Sequence, residues 1–375
     1  MPSEATLYLG LMSGTSVDAV DCALIHCQQS DIELIATHSH AIPADLKTRI
    51  AALCQPADDE IQRMGTLDRA LGRLFGEAAI ELLATQAIEK GAIRAIGSHG
   101  QTIRHTPPSS GVSCADSFTL QIADPNTIAE TTGICTVADF RRRDIAAGGE
   151  GAPLAPIFHA AAFSDGKQAR AIVNIGGIAN ATLLQGSTLL KGFDTGPGNT
   201  LLDQWFRQHH DDAYDLGGAW AASGNVSASL LSKMLQHPYF GRTGPRSTGR
   251  EAFNLQWLLP LLANSPPLRA EDVQATLAEL TAQSIVRAIN AEAVQMDELY
   301  LCGGGAHNTD LARRIAKLFA PREVLTTSAL GIHPDWVEAV TFAWLAHQTL
   351  EHLSGNAPQV TGAAGARVLG GIYQA

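Results

Sequence analysis

The chain has 375 residues, 45% apolar and 17% charged, which is length enough for two ordinary domains and a globular, not disordered, composition. Its formal net charge of -11 argues against nucleic acid as the main partner, but leaves room for a nucleotide held in a local cradle of backbone N–H groups. The start lacks a basic region before its short apolar run, and no stretch nears the roughly 18 apolar residues of a membrane span. The six cysteines form no C-x-x-C pair, so a cytoplasmic chain with reduced thiols and no membrane partner is expected.

Leu7 to Ile25 reads as strand, polar turn (Ser13–Ser16) and strand, a hairpin. Residues 60–90 read as a long helix, with Met64, Leu67, Leu71, Leu74, Phe75, Ala78 and Leu82 at helical spacing and Gly91 at the C-cap. Ile93–Ser98 is a short apolar strand running into His99-Gly100-Gln101-Thr102, and Phe118–Ile122 is another. Ala171 to Leu184 repeats the first hairpin around Gly176-Gly177, a hint of internal duplication. Helical patterns fill 272–296 and 335–352. Glu298–Cys302 reads as a strand that enters Gly303-Gly304-Gly305 and then a helix over Thr309–Phe319, capped by Asn308. Strands mixed with helices in both halves indicate α/β architecture. The Gly/Pro-rich stretches Gly148–Pro156 and Gly355–Pro358 are the candidate crossings between a first domain (1–138 plus 357–375) and a second (139–356).

Three glycine-bearing strand ends are the main chemical clue. Glycine lets a backbone approach a ligand closely, and successive N–H groups in such turns form anion-binding nests. Two hairpins facing each other across a cleft clamp a triphosphate, and the third glycine run offers a flat surface for an adenine ring. The order and separation fit the phosphate-1, phosphate-2 and adenosine signatures of the actin, hexokinase and heat-shock ATPase superfamily. Rival nucleotide motifs are missing: Gly166-Lys167 is followed by Gln168, so no P-loop exists, and no G-x-G-x-x-G follows a strand.

Gly10 to Asp21 resembles the N-terminal signature of the anhydro-N-acetylmuramic acid kinases. Seven further matches follow in order: Ser98–Thr102, Ala138–Ile145 with Gly148–Leu154, Asn174–Asn180, Gly192–Asn199, Ser247–Glu251, Cys302–Asn308 and Val337–Ala346. Ala19 and Glu150 depart from it, standing where Gly and Gln are commoner. The resemblance implies a two-domain actin-like (ribonuclease H-like) α/β fold with the nucleotide in the interdomain cleft. It also implies a reaction in cell-wall recycling, in which ATP phosphorylates O6 of a 1,6-anhydro amino sugar while water opens the anhydro ring. It raises a homodimer too, although no interface stripe is legible.

Residue roles follow from the matched positions. Asp194 is the expected base that takes a proton from water. Gly14, Thr15, Ser16, Val17, Asp18, Ala19, Val20 and Asp21 are expected at the ATP phosphates, with Asp18 or Asp21 orienting Mg2+, a cation suited to hard oxygen ligands. Gly176 and Gly177 form the facing phosphate turn; Gly303, Gly304, Gly305 and Asn308 form the nucleoside platform. On the sugar side, one of Arg141, Arg142 and Arg143 meets the lactyl carboxylate through a forked pair, with Arg142 the assigned residue. Glu338 either binds sugar hydroxyls or stabilises a helix N-terminus, and His99 either donates to the sugar or orders its own loop. Two other readings stay open: a kinase of the same fold acting on an ordinary sugar or carboxylate without ring opening, and a non-catalytic nucleotide-binding protein.

Overall fold

The computed structural model describes residues 6–14, 16–28, 31–242, 248, 249 and 251–375. The chain divides into two compact units, residues 1–162 with 336–375 and residues 163–335.

The first unit is built on a six-stranded sheet. Its strands are β1 (Thr6–Met12), β2 (Ala19–Gln28), β3 (Asp31–Ala41), β4 (Ile93–Ser98), β7 (Thr136–Ala138) and β13 (Gly371–Tyr373), in the order β13-β7-β4-β1-β2-β3. A two-stranded ribbon, β5 (Gln101–Thr106) with β6 (Phe118–Ile122), stands apart from it. Alternation along each strand sends successive side chains to opposite faces. On one face Leu9, Leu11, Val20, Cys22 and Leu24 pack against Leu67, Leu71, Leu74, Phe75, Ala78 and Leu82 of the Glu60–Thr85 helix. On the other, Tyr8 meets His347 edge-on with ring centroids 5.2 Å apart, and the Val337–Leu350 helix lies over Gly10 and Gly97.

Those two glycines are paired in register on β1 and β4. A Cβ on Gly10 would stand 1.8 Å from the Ala339 carbonyl oxygen, and one on Gly97 1.9 Å from that of Phe342. Helix backbone therefore rests on sheet backbone, and this contact holds the helix start, with Glu338, over the sheet.

The second unit carries β8 (Ala169–Ile175), β9 (Ile178–Gln185), β10 (Thr188–Pro197), β11 (Glu298–Cys302) and β12 (Glu323–Thr326), in the order β10-β9-β8-β11-β12. Val173, Ile175, Leu299 and Leu301 pack with Ile285 and Ile289 of the Ala270–Asn290 helix and with Leu311, Ile315 and Phe319 of the Thr309–Phe319 helix. The last three fall on one helical stripe.

Both sheets follow one scheme. Each opens with two antiparallel pairings (β1-β2-β3; β8-β9-β10), then adds strands parallel to the first on its other side (β4, β7; β11, β12). This repeated 3-2-1-4-5 order is the actin-like, ribonuclease H-like arrangement in duplicate, and it matches the duplication hinted at by the two glycine hairpins. The six cysteines are free thiols. No helix among the described residues is long and apolar enough to cross a membrane.

Three local expectations differ. The long helix ends at Thr85, not near Gly91, because Ala87 takes the left-handed position (φ 52°) usually given to glycine. Its N–H and that of Ile88 bond back to Ala84 and Leu83, closing a Schellman stop. The helix expected over 272–296 ends at Asn290. The units divide at 162/163 and 335/336, and Gly148–Pro156 and Gly355–Pro358 both lie inside the first. The buried Asp144 carboxylate explains why: it accepts from Gly151 N, Asn356 Nδ2 and Thr361 Oγ1, each at 2.8 Å, so one charge fastens both stretches together.

Candidate functional site

In the first unit Gly14 to Asp18 lie in the β1–β2 turn and Ala19 to Asp21 begin β2; Thr15 lies outside the described residues, as do Ser247 and Arg250 of the Ser247–Glu251 match. The Val17 amide donates to the Gly14 carbonyl at 3.2 Å. Val17 itself sits at φ 59°, a rare conformation for a β-branched residue that costs on the order of 1–3 kcal/mol. Strain of this kind concentrates where a backbone serves a ligand. Gly14 has no protein atom within 4 Å of where a Cβ would stand, and its φ is not left-handed. Among the described residues neither packing nor conformation calls for glycine there.

Asp18 is exposed and pairs with Lys47 Nζ at 3.1 Å, while Asp21 accepts from Ser39 Oγ at 2.9 Å. Asp21 also bears on Glu338, whose pKa is raised by crowding from the surrounding protein and further by the Asp21 charge. Arg141 opposes that rise. Glu338 is still reached by solvent, so it is a crowded but accessible carboxylate at the start of its helix.

The arginines of the run point different ways. Arg142 points outward, 60% exposed, toward Asp139 at 3.4 Å. Arg141 turns inward, its Nε donating to His99 Nε2 at 2.9 Å and its Nη1 to the Gly151 carbonyl at 2.9 Å. Burial pulls its pKa down to about 10, against the pull of Glu338 and Asp144, so it stays charged at neutral pH.

His99 is buried, with Nδ1 2.8 Å from the Gly100 carbonyl and Nε2 taken by Arg141. Burial and the neighbouring Arg141 charge hold its pKa well below the usual histidine range, which fits a neutral ring donating from Nδ1 and accepting at Nε2. Both nitrogens are thus committed within the protein. In this arrangement His99 ties Gly100 to Arg141. Its own amide bonds the Leu11 carbonyl at 2.9 Å, and Ser13 Oγ donates to Gln101 Oε1 at 2.7 Å, tying this loop to the strand that enters the glycine turn. Glu150 takes Ser109 Oγ at 2.6 Å, a contact within this unit's loops.

The second unit gathers three of the matched segments. The carbonyl of Gly176 accepts from Asn199 N (2.8 Å), and that of Gly177 accepts from Gly198 N (2.9 Å) and Thr200 N (3.1 Å). A Cβ on Gly198 would stand 2.3 Å from the Gly176 oxygen. Gly305 closes on Ile175, where a Cβ would meet the side chain at 2.2 Å, and lies beside the Asn199 carboxamide. Gly303 takes φ 75° and donates to the Pro334 carbonyl at 3.1 Å, while Gly304 faces open space. Asn308 Oδ1 accepts from Leu311 N at 2.9 Å, capping the helix as expected.

Asp194 lies on β10, three residues inside its end and not at a turn, beside a bulge between Asp194 and Gly196. Bulges re-aim side chains, and here the backbone is pinned by Tyr239, whose hydroxyl donates to the Asp194 carbonyl at 2.6 Å. The carboxylate accepts from Thr248 N at 2.9 Å. Sequence reasoning did not assign Arg141, Asn199, Tyr239 or Thr248. Arg141, Asn199 and Thr248 lie inside matched segments, whereas Tyr239 lies in none and nothing local marks it as a partner of Asp194.

A model of the anhydro-N-acetylmuramic acid kinase family matches residues 6–375. A protein of Coxiella burnetii (strain Dugway 5J108-111) named anhydro-N-acetylmuramic acid kinase is 52% identical over 377 aligned positions, covering 100% of this chain and 98% of that one. One of the same name from Pseudomonas putida is 50% identical over 369, covering 98% and 99%. Among solved structures, the activator of the 2-hydroxyisocaproyl-CoA dehydratase from Clostridium difficile with bound ADPNP is similar at 13% identity and a TM-score of 0.48, over 92% of this chain and 96% of that one. With eight motifs in one order and about half of all positions shared along the whole length, the chain belongs to the anhydro-N-acetylmuramic acid kinase family.

Proposed function

We propose that the chain is an ATP-dependent anhydro-N-acetylmuramic acid kinase that adds water across the anhydro bond as it phosphorylates O6, in cytoplasmic recycling of the cell wall. The observation that carries this reading is the packing together, in the second unit, of the Gly176-Gly177 turn, Gly198-Asn199 and the Gly303–Gly305 run, with Asp194 on the strand that leads into it.

Asp194 accepts a proton from water as the water oxygen bonds to the anomeric carbon. The C1–O6 bond breaks, and O6 takes the γ-phosphoryl group as its bond to ADP breaks. The products are ADP and the sugar 6-phosphate, and the proton passes from Asp194 to solvent. An ordinary aspartate, with an unperturbed pKa of about 3.9, suffices because positive charge developing at the anomeric carbon acidifies the attacking water. The Gly14–Asp18 turn with the start of β2 through Asp21, and the Gly176-Gly177 turn, bind the phosphates, and the Gly303–Gly305 run with Asn308 receives the nucleoside. Asp21, with Asp18 behind it, supplies oxygen donors that fit Mg2+, and the mutual repulsion of Asp21 and Glu338 favours a cation beside them. When bound, that cation neutralises charge on the phosphates.

Gly14→Ala is expected to leave thermal stability unchanged and to raise KM for ATP at least about tenfold, since the added methyl meets no atom of the described residues and, on this reading, intrudes on the phosphates. A lowered melting temperature with unchanged KM would refute that use of the turn.

Arg141 meets the lactyl carboxylate with the guanidinium edge left over from His99 and Gly151. Loss of a charged hydrogen bond, about 1.5–3 kcal/mol, predicts a KM for the anhydro sugar raised roughly 10- to 150-fold in Arg141→Lys, with Arg142→Ala near wild type. Steady-state kinetics of both variants checks this, and the reverse ranking would return the role to Arg142.

A further inference from the structure

One cluster lies outside the residues given roles in the reaction. His38 and His40 stand two residues apart on β3, the edge strand, so both project from the same face. Their partners across β2, Cys22 and Val20, are buried on that face against the Glu60–Thr85 helix. The helix presents Glu81 to them, with its Oε2 3.2 Å from His38 Nε2 and 2.8 Å from His40 Nδ1. All three donor atoms lie within 4.8 Å of one another. A tetrahedral zinc site with bonds of about 2.0–2.1 Å sets its donors about 3.3 Å apart, so small side-chain rotations suffice to bring them to it. His38 Nε2 is buried, with Glu81 Oε2 beside it. The histidines are 22% and 25% exposed and Glu81 50%, which leaves the fourth position open to water.

We propose that His38, His40 and Glu81 bind a borderline divalent transition-metal cation, Zn2+ fitting best, and so clamp β3 to the Glu60–Thr85 helix. Two imidazoles with one carboxylate suit Zn2+ and disfavour Mg2+, which prefers oxygen. The site lies on the sheet face opposite the one covered by the Val337–Leu350 helix, with Ser39, between the two histidines, bonded to Asp21.

The test is competition titration of Zn2+ alone against a chromogenic chelator, using the full chain and the variants His40→Gln and Glu81→Gln. Losing an outer-shell partner already costs a metal site about 10–100-fold, so losing a ligand should weaken the tightest equivalent by at least about tenfold. Zinc should also raise the melting temperature of the wild type and not of the variants. Cobalt on the wild-type chain should give the intense visible absorption of a tetrahedral N/O site, a readout that needs no variant. Equal zinc affinity in wild type and variants, or a purely octahedral cobalt spectrum, would overturn the proposal and leave only a hydrogen-bonded histidine–glutamate pair.

Discussion

Asn in place of Asp194 is expected to lower kcat by about 100- to 10,000-fold, the usual contribution of a positioned general base, while ATP binding stays within a factor of about two. The substitution keeps the shape of the side chain, and its amide oxygen still accepts from Thr248 N, so the bulge on β10 and its Tyr239 anchor remain. What disappears is the capacity to take a proton from water. Stopped assays of ADP release, with nucleotide affinity measured separately, distinguish the two properties. Near-normal turnover in this variant would remove Asp194 from the chemistry. Tyr239→Phe offers a milder companion: the carboxylate stays but its backbone loses a tether, so a partial fall in kcat is expected.

The second large effect falls on stability. Gly97→Ala places a methyl carbon 1.9 Å from the Phe342 carbonyl oxygen, and Gly10→Ala places one 1.8 Å from that of Ala339. Both obstacles are helix backbone, which cannot rotate aside as a side chain does. The Val337–Leu350 helix must lift from β1 and β4, opening contacts made by Tyr8, Val340 and Phe342. Overpacking typically costs about 1–3 kcal/mol, and a backbone obstacle on this scale belongs at or beyond the upper end. Urea unfolding of each variant should show that loss. Because Glu338 begins the displaced helix, kinetics with the anhydro sugar should suffer as well. Unchanged stability in both variants would mean that the helix does not rest on these glycines.

Much of this architecture was legible from local signals. Both hairpins could be read because a glycine turn interrupts strict alternation, and the Asn308 cap because its amide precedes an amphipathic stripe. Adjacent arginines were not separable. Neighbours on a helix point about 100° apart, and which one turns inward depends on where His99 and Gly151 arrive from distant sequence. The unit boundaries were hidden for a similar reason. Gly/Pro-rich segments look like linkers, and only the buried Asp144 carboxylate, reaching residues more than 200 positions away, shows that two of them are fastened into one body. An alanine serving as a left-handed helix stop at Ala87 gives no compositional sign.

Solvent enters the sugar in the same turnover that transfers the phosphoryl group, on the proposed reaction. This is tested by running the reaction in oxygen-18 water with ATP and the 1,6-anhydro sugar, quenching early, and weighing the products against a control for anomeric exchange. The account predicts one heavy oxygen in the sugar phosphate and none in the transferred phosphoryl group. An unlabelled sugar phosphate, or faster ADP release with the already hydrolysed sugar than with the anhydro form, would contradict it.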